Sequence, residues 1–210
     1  MRFLVFEGLD GSGKSTLMRG LESTLQSQGQ SFITTREPGG TPLGDQIREL
    51  LLRKGDTAPC PRAELLLYEA SRAQHVDCVI IPAIKRGQFV LCDRFSASSI
   101  AFQAGGRGIP GSVVDSLNQF ATNGLEADLT VLLDLPVDES LARRRQRVLA
   151  TGEEQDRMES EARQFHEKVR QSFLDQGTDN KKWLILDATQ KPEKLLELLL
   201  ADLKKRGWLS

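Results

Sequence analysis

The sequence predicts an α/β fold: one five-stranded, mostly parallel sheet with helices on both faces. Two patterns carry this reading. Short apolar runs alternate with longer segments of helical period. Three of those runs, Leu4-Val5-Phe6, Phe89-Val90-Leu91-Cys92 and Leu129-Thr130-Val131-Leu132-Leu133, are nearly continuous in hydrophobicity. Strands covered on both faces look like that, whereas a strand with one wet face alternates.

In chain order, strands are expected at residues 2–7, 31–35, 89–93, 129–135 and 182–187. The first helix, 15–28, carries Leu17, Leu21 and Leu25 at a spacing of four, with Gly29 as its stop. Leu43, Ile47, Leu50 and Leu51 mark a second helix. Residues 62–86 are helical in pattern, with Pro82 expected to break or kink them near Ile81. Further helices are expected at 96–103, 112–123, 138–149, 157–176 and 192–206. The last gathers Leu195, Leu196, Leu199, Leu200 and Leu203 on one face. Irregular stretches fall at 36–42 and 150–156. No repeat or long linker divides the chain, so residues 1–210 read as a single domain.

Composition narrows the function. A chain of 210 residues with 39% hydrophobic content can bury a core, which excludes global disorder. Lys and Arg total 28 against 29 Asp and Glu, a net charge of −1. No large positive field is available, so nucleic acid and anionic membrane are not expected partners. No apolar run approaches the roughly 20 residues of a membrane helix, and the run after Met1-Arg2 is too short for a signal peptide. Cys60, Cys78 and Cys92 are odd in number and lack metal-like spacing, as in a reduced, cytoplasmic chain.

Gly8-Leu9-Asp10-Gly11-Ser12-Gly13-Lys14-Ser15, followed by Thr16, satisfies GxxxxGK[ST] between an expected buried strand and an amphipathic helix. Glycines let the backbone curl so that successive N–H groups face phosphate oxygens. The helix N-terminus and Lys14 add positive potential, and the Ser15 hydroxyl suits Mg²⁺. A nucleoside triphosphate site follows. No NKxD base-recognition motif occurs, since Asn180-Lys181-Lys182-Trp183 lacks the acid, so a regulatory GTPase is not indicated. Asp10 is anomalous, a carboxylate where anionic phosphates approach. It is either a turn-former or a polar contact to a second substrate.

Four more segments fall at strand ends and following loops, where ligands gather in open parallel sheets. They are Arg36-Glu37-Pro38-Gly39-Gly40-Thr41, Tyr68-Glu69-Ala70-Ser71-Arg72-Ala73-Gln74-His75, Asp93-Arg94-Phe95 and Ser98-Ser99-Ile100-Ala101-Phe102-Gln103. Together with the phosphate loop and Asp187-Ala188-Thr189-Gln190 they resemble the thymidylate kinase family over nearly the whole chain. The resemblance implies a P-loop nucleoside monophosphate kinase fold, transfer of phosphoryl from ATP to dTMP with Mg²⁺ in dTTP biosynthesis, and a homodimer. The alternatives are a deoxynucleoside kinase, another nucleoside monophosphate kinase, or a non-catalytic nucleotide-binding switch.

The resemblance also implies roles. Asp93 and Ser15 hold Mg²⁺; a helix N-cap is the other reading of Asp93. Arg94 grips the acceptor phosphate with its planar fork, or pairs with Glu37 or Asp93. Arg36 is a second phosphate ligand, or an exposed loop arginine. Tyr68 stacks on thymine, or is a core aromatic; Arg72, one helical turn on, donates to a base carbonyl. Phe102 crowds the sugar 2′ position, Ser98 and Gln103 complete hydrogen bonds around base and sugar, and Asp10 accepts from the 3′-hydroxyl. In bacterial-type members a mobile lid supplies the arginine that the phosphate loop lacks. Here the lid is expected at about 143–157, with Arg143, Arg145 and Arg147 as its cations; a solvated helix face is the other reading. Arg143 and Arg147 share a face and Arg145 does not, so all three converge only if that helix frays or bends. Arg157 is expected to align with a further phosphate ligand. The acceptor is already a dianion near neutrality, its second pKa being about 6, so no general base is required. His75 and His166 are read as surface or structural.

Overall fold

The computed structural model describes residues 2–152 and 154–209. On its first strand, β1 (Phe3–Glu7), all five side chains are buried. Period-two alternation sends Leu4 and Phe6 to one face and Phe3 and Val5 to the other, where each pair joins a separate apolar cluster. Strands β3 (Phe89–Asp93) and β4 (Leu129–Asp134) are likewise covered on both sides. Strands β2 (Phe32–Arg36) and β5 (Trp183–Asp187) form the edges and are only partly covered. The order is β2-β3-β1-β4-β5, and every pairing is parallel.

Helices α1 (Lys14–Ser27) and α9 (Pro192–Lys205) cover the Leu4–Phe6 face through Leu17, Leu21 and Leu25 from one and Leu195, Leu199 and Leu203 from the other. On the opposite face, α3 (Pro61–His75) passes through a wider π-type turn, Val76–Ile80, into α4 (Ile81–Lys85). Of the break or kink expected from Pro82 near Ile81, no break occurs, but the helix changes its winding just before Ile81. Proline lacks an N–H and crowds the carbonyl four residues back. The wider turn, closed by the Ile81 N–H on the Val76 carbonyl, absorbs both defects within a continuous helix. Helix α5 (Ser96–Ser99) opens into π-type turns over Ile100–Gly106, three residues beyond its expected end. Helix α2 (Pro42–Leu52) is capped by Thr41, whose Oγ1 accepts the Gly44 N–H at 3.0 Å.

Helix α6 (Gly111–Thr122) ends on Asn123 in the left-handed conformation. Two expectations near the lid are corrected. Helix α7 (Val137–Thr151) runs two residues past 149 and ends on Gly152 in the left-handed conformation. Helix α8 starts at Arg163 and ends at Gly177, rather than starting at 157. Residues 157–160 form a turn instead, because one local bond and one distant bond hold them: Asp156 Oδ1 accepts the Glu159 N–H at 2.9 Å, and Arg157 donates across the fold to the Leu51 carbonyl at 2.9 Å.

This topology sets the site. From β1 the chain moves to β2 and β3 on one side and later to β4 and β5 on the other, so the crevice outside the end of β1 is the switch point. The glycine-rich turn occupies it. Gly8 has φ 134°, and a Cβ there would lie 2.5 Å from the Leu133 carbonyl oxygen, so a side chain is excluded.

Candidate active site

The phosphate loop wraps around Lys14. Its Nζ donates to the Gly8 and Leu9 carbonyls at 3.2 and 3.4 Å and lies 3.9 Å from Asp10. Burial, and next the Arg94 cation, lowers the Lys14 pKa. The Ser12 hydroxyl is buried with no hydrogen-bond partner among the described residues, a donor left over inside the loop. Thr16 opens the first turn of α1, where its N–H bonds the Gly13 carbonyl at 3.0 Å.

Ser15 and Asp93 line one cleft of about 730 Å³, together with Arg36. Asp93 Oδ1 is buried and unpartnered among the described residues. An orphan carboxylate oxygen and a serine hydroxyl in the walls of one cleft are hard-oxygen donors of the kind Mg²⁺ takes with phosphates and water. The residues therefore fit the ion.

Arg94 joins the phosphate loop to a neighbouring pocket. It sits at φ 74°, in the left-handed region, and its N–H bonds the Phe6 carbonyl at 3.0 Å. Its guanidinium donates to Asp10 at 2.9 Å and to Ser98 Oγ at 3.4 Å, and lies 5.1 Å from the Phe102 ring centroid. Behind it is Glu7, which sequence reasoning missed. This fully buried carboxylate accepts the Phe95 N–H at 2.9 Å and the Ser98 hydroxyl at 2.7 Å, with Arg94 3.7 Å away. Burial raises the Glu7 pKa despite Arg94 and those bonds. Burial also works against the Asp10 charge, but Arg94 and Lys14 outweigh it and hold that carboxyl well below the usual range.

Asp10, Tyr68, Arg94, Ser98, Phe102 and Gln103 converge on one pocket, as expected from the sequence. Burial pushes the Tyr68 phenol up to about 12. Arg48, not singled out from the sequence, joins this wall and donates to the Pro38 carbonyl at 3.1 Å. Two expected members lie elsewhere. Arg36 faces the larger cleft, 58% exposed and 3.6 Å from Asp45. Arg72 is 1% exposed and does not line the pocket; it donates to Glu37, Glu69, Asn118, Ser99 and the Phe95 carbonyl at 2.6–3.1 Å. Its salt bridge with Glu37 is the one entertained for Arg94. Glu37 also holds His75 at 3.0 Å, so His75 is structural rather than surface; His166, beside Arg144, is buried too.

The three lid arginines do not converge. Arg143 donates to the Gly11 and Ala188 carbonyls at 3.3 and 3.0 Å, and with Ser12, Gly13, Thr16 and Gln190 it surrounds a third cavity, of about 260 Å³, at the start of α1. Arg147 donates through Nη2 to both carboxylate oxygens of Glu159, at 2.6 and 2.7 Å. Arg145 is exposed. Arg144, passed over between them, is buried against the loop: its Nη1 donates to the Glu159 carbonyl at 2.6 Å, while Nε and Nη2 are unpartnered among the described residues. Its aliphatic stem would lie 3.8 Å from a Cβ on Gly11. Arg157, expected to reach phosphate, is instead bound to Glu64 at 2.7 Å.

With this geometry in view, a family model described as thymidylate kinase matches residues 6–199. The chain belongs to the thymidylate kinase family. A Bdellovibrio bacteriovorus protein named Thymidylate kinase is 61% identical over 207 residues, covering 98% of this chain and 97% of its own. Those of Trichlorobacter lovleyi and Pelobacter propionicus are 47% and 45% identical over 195 and 202 residues, covering 92% and 95% of this chain and 92% of their own. Membership makes the chain a kinase of nucleotide biosynthesis on the P-loop α/β fold that the sheet displays. Among the described residues no helix is long and apolar enough to cross a membrane. Within this family member, sequence pattern singled out the phosphate loop and most of the residues that line the pocket beside Arg94. Glu7 carried a faint signal, an acid closing an otherwise apolar strand. Arg48 and Arg144 carried none beyond helical position.

Proposed function

We propose that this kinase transfers the γ-phosphoryl group of ATP to the 5′-phosphate of dTMP, giving dTDP and ADP. The observation that carries the reading is the junction of the two pockets: Asp10 touches Arg94 of the acceptor pocket at 2.9 Å and lies 3.9 Å from Lys14 of the phosphate loop. The triphosphate binds in the Gly8–Thr16 loop, with Leu9, Asp10, Gly11, Ser12 and Gly13 forming its curl. Lys14 neutralises the β/γ-phosphates. Ser15 and Asp93 hold Mg²⁺, which when bound offsets phosphate charge. Arg94, with Arg36 from the neighbouring cleft, orients the acceptor phosphate. Tyr68 stacks on the base, Phe102 blocks a 2′-hydroxyl, Ser98 and Gln103 bond the nucleoside, and Asp10 accepts from the 3′-hydroxyl. Arg72 acts on the base through the network it organises. A phosphate dianion attacks without surrendering a proton, so positioning and charge neutralisation do the chemistry.

In this reading the single domain 1–210 carries a lid at about 143–157. The lid works through Arg143, already on the loop, and Arg147, released from Glu159 when phosphate competes for it. Arg145 reaches the transferring group only after α7 unwinds. The enzyme is cytoplasmic, with no nucleic-acid or membrane partner. It is a homodimer through α3 and α6, which pack on each other and expose Leu66, Val113 and Phe120, the last 85% exposed. Replacing Phe120 by Glu is expected to convert the dimer to monomer in sedimentation velocity; an unchanged coefficient refutes that face.

Incubation with ATP and dTMP, dUMP, dCMP, AMP or thymidine, followed by product separation, tests the acceptor. Fastest turnover of dTMP is expected. Thymidine phosphorylated in place of dTMP would make the chain a deoxynucleoside kinase, and no turnover would make it a switch.

A further inference from the structure

Gln103 lies in the wall of the acceptor pocket, on the wide turns after α5, and its Nε2 donates to Glu64 Oε1 at 2.8 Å. Glu64, on α3, is fully buried. Arg107 reaches both its oxygens, at 3.2 and 3.0 Å, and Arg157 reaches Oε2 at 2.7 Å. Burial opposes the Glu64 charge, but the bonds from Arg107, Gln103 and Arg157 outweigh it and lower the pKa, so the group is an acceptor only. Two guanidinium groups also prevent it from rotating away.

A carboxamide has one donating and one accepting end. Turned over, Gln103 would set its own oxygen against a carboxylate oxygen, two acceptors at bonding distance with no proton between them. The amide is therefore locked. Its Oε1 accepts no hydrogen bond from the described residues. We propose that Glu64 is a positioning residue for pyrimidine specificity: by holding the Gln103 Nε2 it presents only an acceptor to the base. An acceptor there matches a ring N–H, as at N3 of thymine, and opposes the N3 lone pair of cytosine. This inference rests on the reading of the pocket as the seat of dTMP. Discrimination arises because the wrong base leaves a desolvated acceptor facing another acceptor.

The test is the ratio of kcat/KM for dTMP to that for dCMP, with ATP as donor, in wild type, Glu64→Gln, Gln103→Ala and the double variant. A glutamine at 64 offers an N–H₂ end toward Gln103 and lets it turn over. The ratio is expected to fall about tenfold or more, mainly through the KM for dTMP. In the Gln103→Ala background the same substitution is expected to change the ratio less than about twofold. An unmoved ratio in Glu64→Gln overturns the inference, as does an equal fall in both backgrounds, which would mark general loosening of the pocket. Should Glu64→Gln not fold, Glu64→Asp is read by the same ratios. It keeps the charge for Arg107 and Arg157 but withdraws the carboxylate from Gln103 by one methylene. Wild type that does not phosphorylate dTMP refutes the acceptor reading itself; dTMP turnover with an unmoved ratio refutes only the role of Glu64.

Discussion

Replacing Lys14 by alanine is expected to lower kcat for dTMP phosphorylation by about 10²–10³-fold, the range for removing one preorganised charge at a reacting centre. Lys14 is buried within its own loop and held by two carbonyls, so its ammonium is in place before the triphosphate arrives. At 4 Å a single cation is worth about 4 kcal/mol against a unit negative charge at an effective dielectric of 20, enough for such a loss. Asp10 keeps Arg94 when Lys14 is gone, so the fold survives. The check is steady-state kinetics beside a thermal melt. A kcat within threefold of wild type, with an unchanged melt, would remove Lys14 from the reaction.

Arg94→Ala is expected to lose stability as well as activity, by about 3–5 kcal/mol, because breaking a buried pair leaves an uncompensated charge. That charge is Glu7, fully buried and already raised in pKa by its surroundings. Without Arg94 it rises further. A carboxyl whose folded pKa lies above its ordinary value of 4.5 contributes stability that is full below that value and is lost as pH rises through the folded pKa. The deficit of Arg94→Ala against wild type should therefore be larger at pH 8 than at pH 5. Asp10 loses the same cation but keeps Lys14 at 3.9 Å, so the comparison is made in an Asp10→Asn background as well, which removes its titration from the difference. Urea titrations of both proteins at the two pH values measure the difference. Equal deficits would mean that Glu7 is not the group Arg94 protects. Since Arg94 also meets the acceptor phosphate in our reading, KM for dTMP should rise in the same variant.

The phosphate loop was legible because its chemistry is local. Glycines, Lys14 and Ser15 act at fixed sequence spacing, and the strand and helix flanking them follow from periodicity. The pocket beside Arg94, the acceptor seat in our reading, was legible in part, since Asp93 to Gln103 is one continuous segment leaving one strand end. Arg72 illustrates the limit. Helical spacing correctly puts it one turn from Tyr68, yet whether a guanidinium faces a pocket or a buried network depends on partners 23 to 46 residues away, at Glu37, Phe95, Ser99 and Asn118. The lid shows the same limit. Residues 157–176 have helical period throughout, but the first turn is captured by Asp156, Glu64 and Leu51, and the helix begins only at Arg163.

By itself the amino-acid sequence determined the layered parallel architecture, the strand that ends in the phosphate loop, and the kind of ligand that loop accepts. Each of these depends on residue type at short range: double-sided apolarity, glycine freedom and a lysine at a set offset. Tertiary structure alone decided which charges neutralise one another. Glu7 beneath Arg94, Glu64 behind Gln103 and Glu159 on Arg147 are matches made across the fold. A buried carboxylate takes whichever donors packing brings within bonding distance, and no periodicity in the chain encodes that choice.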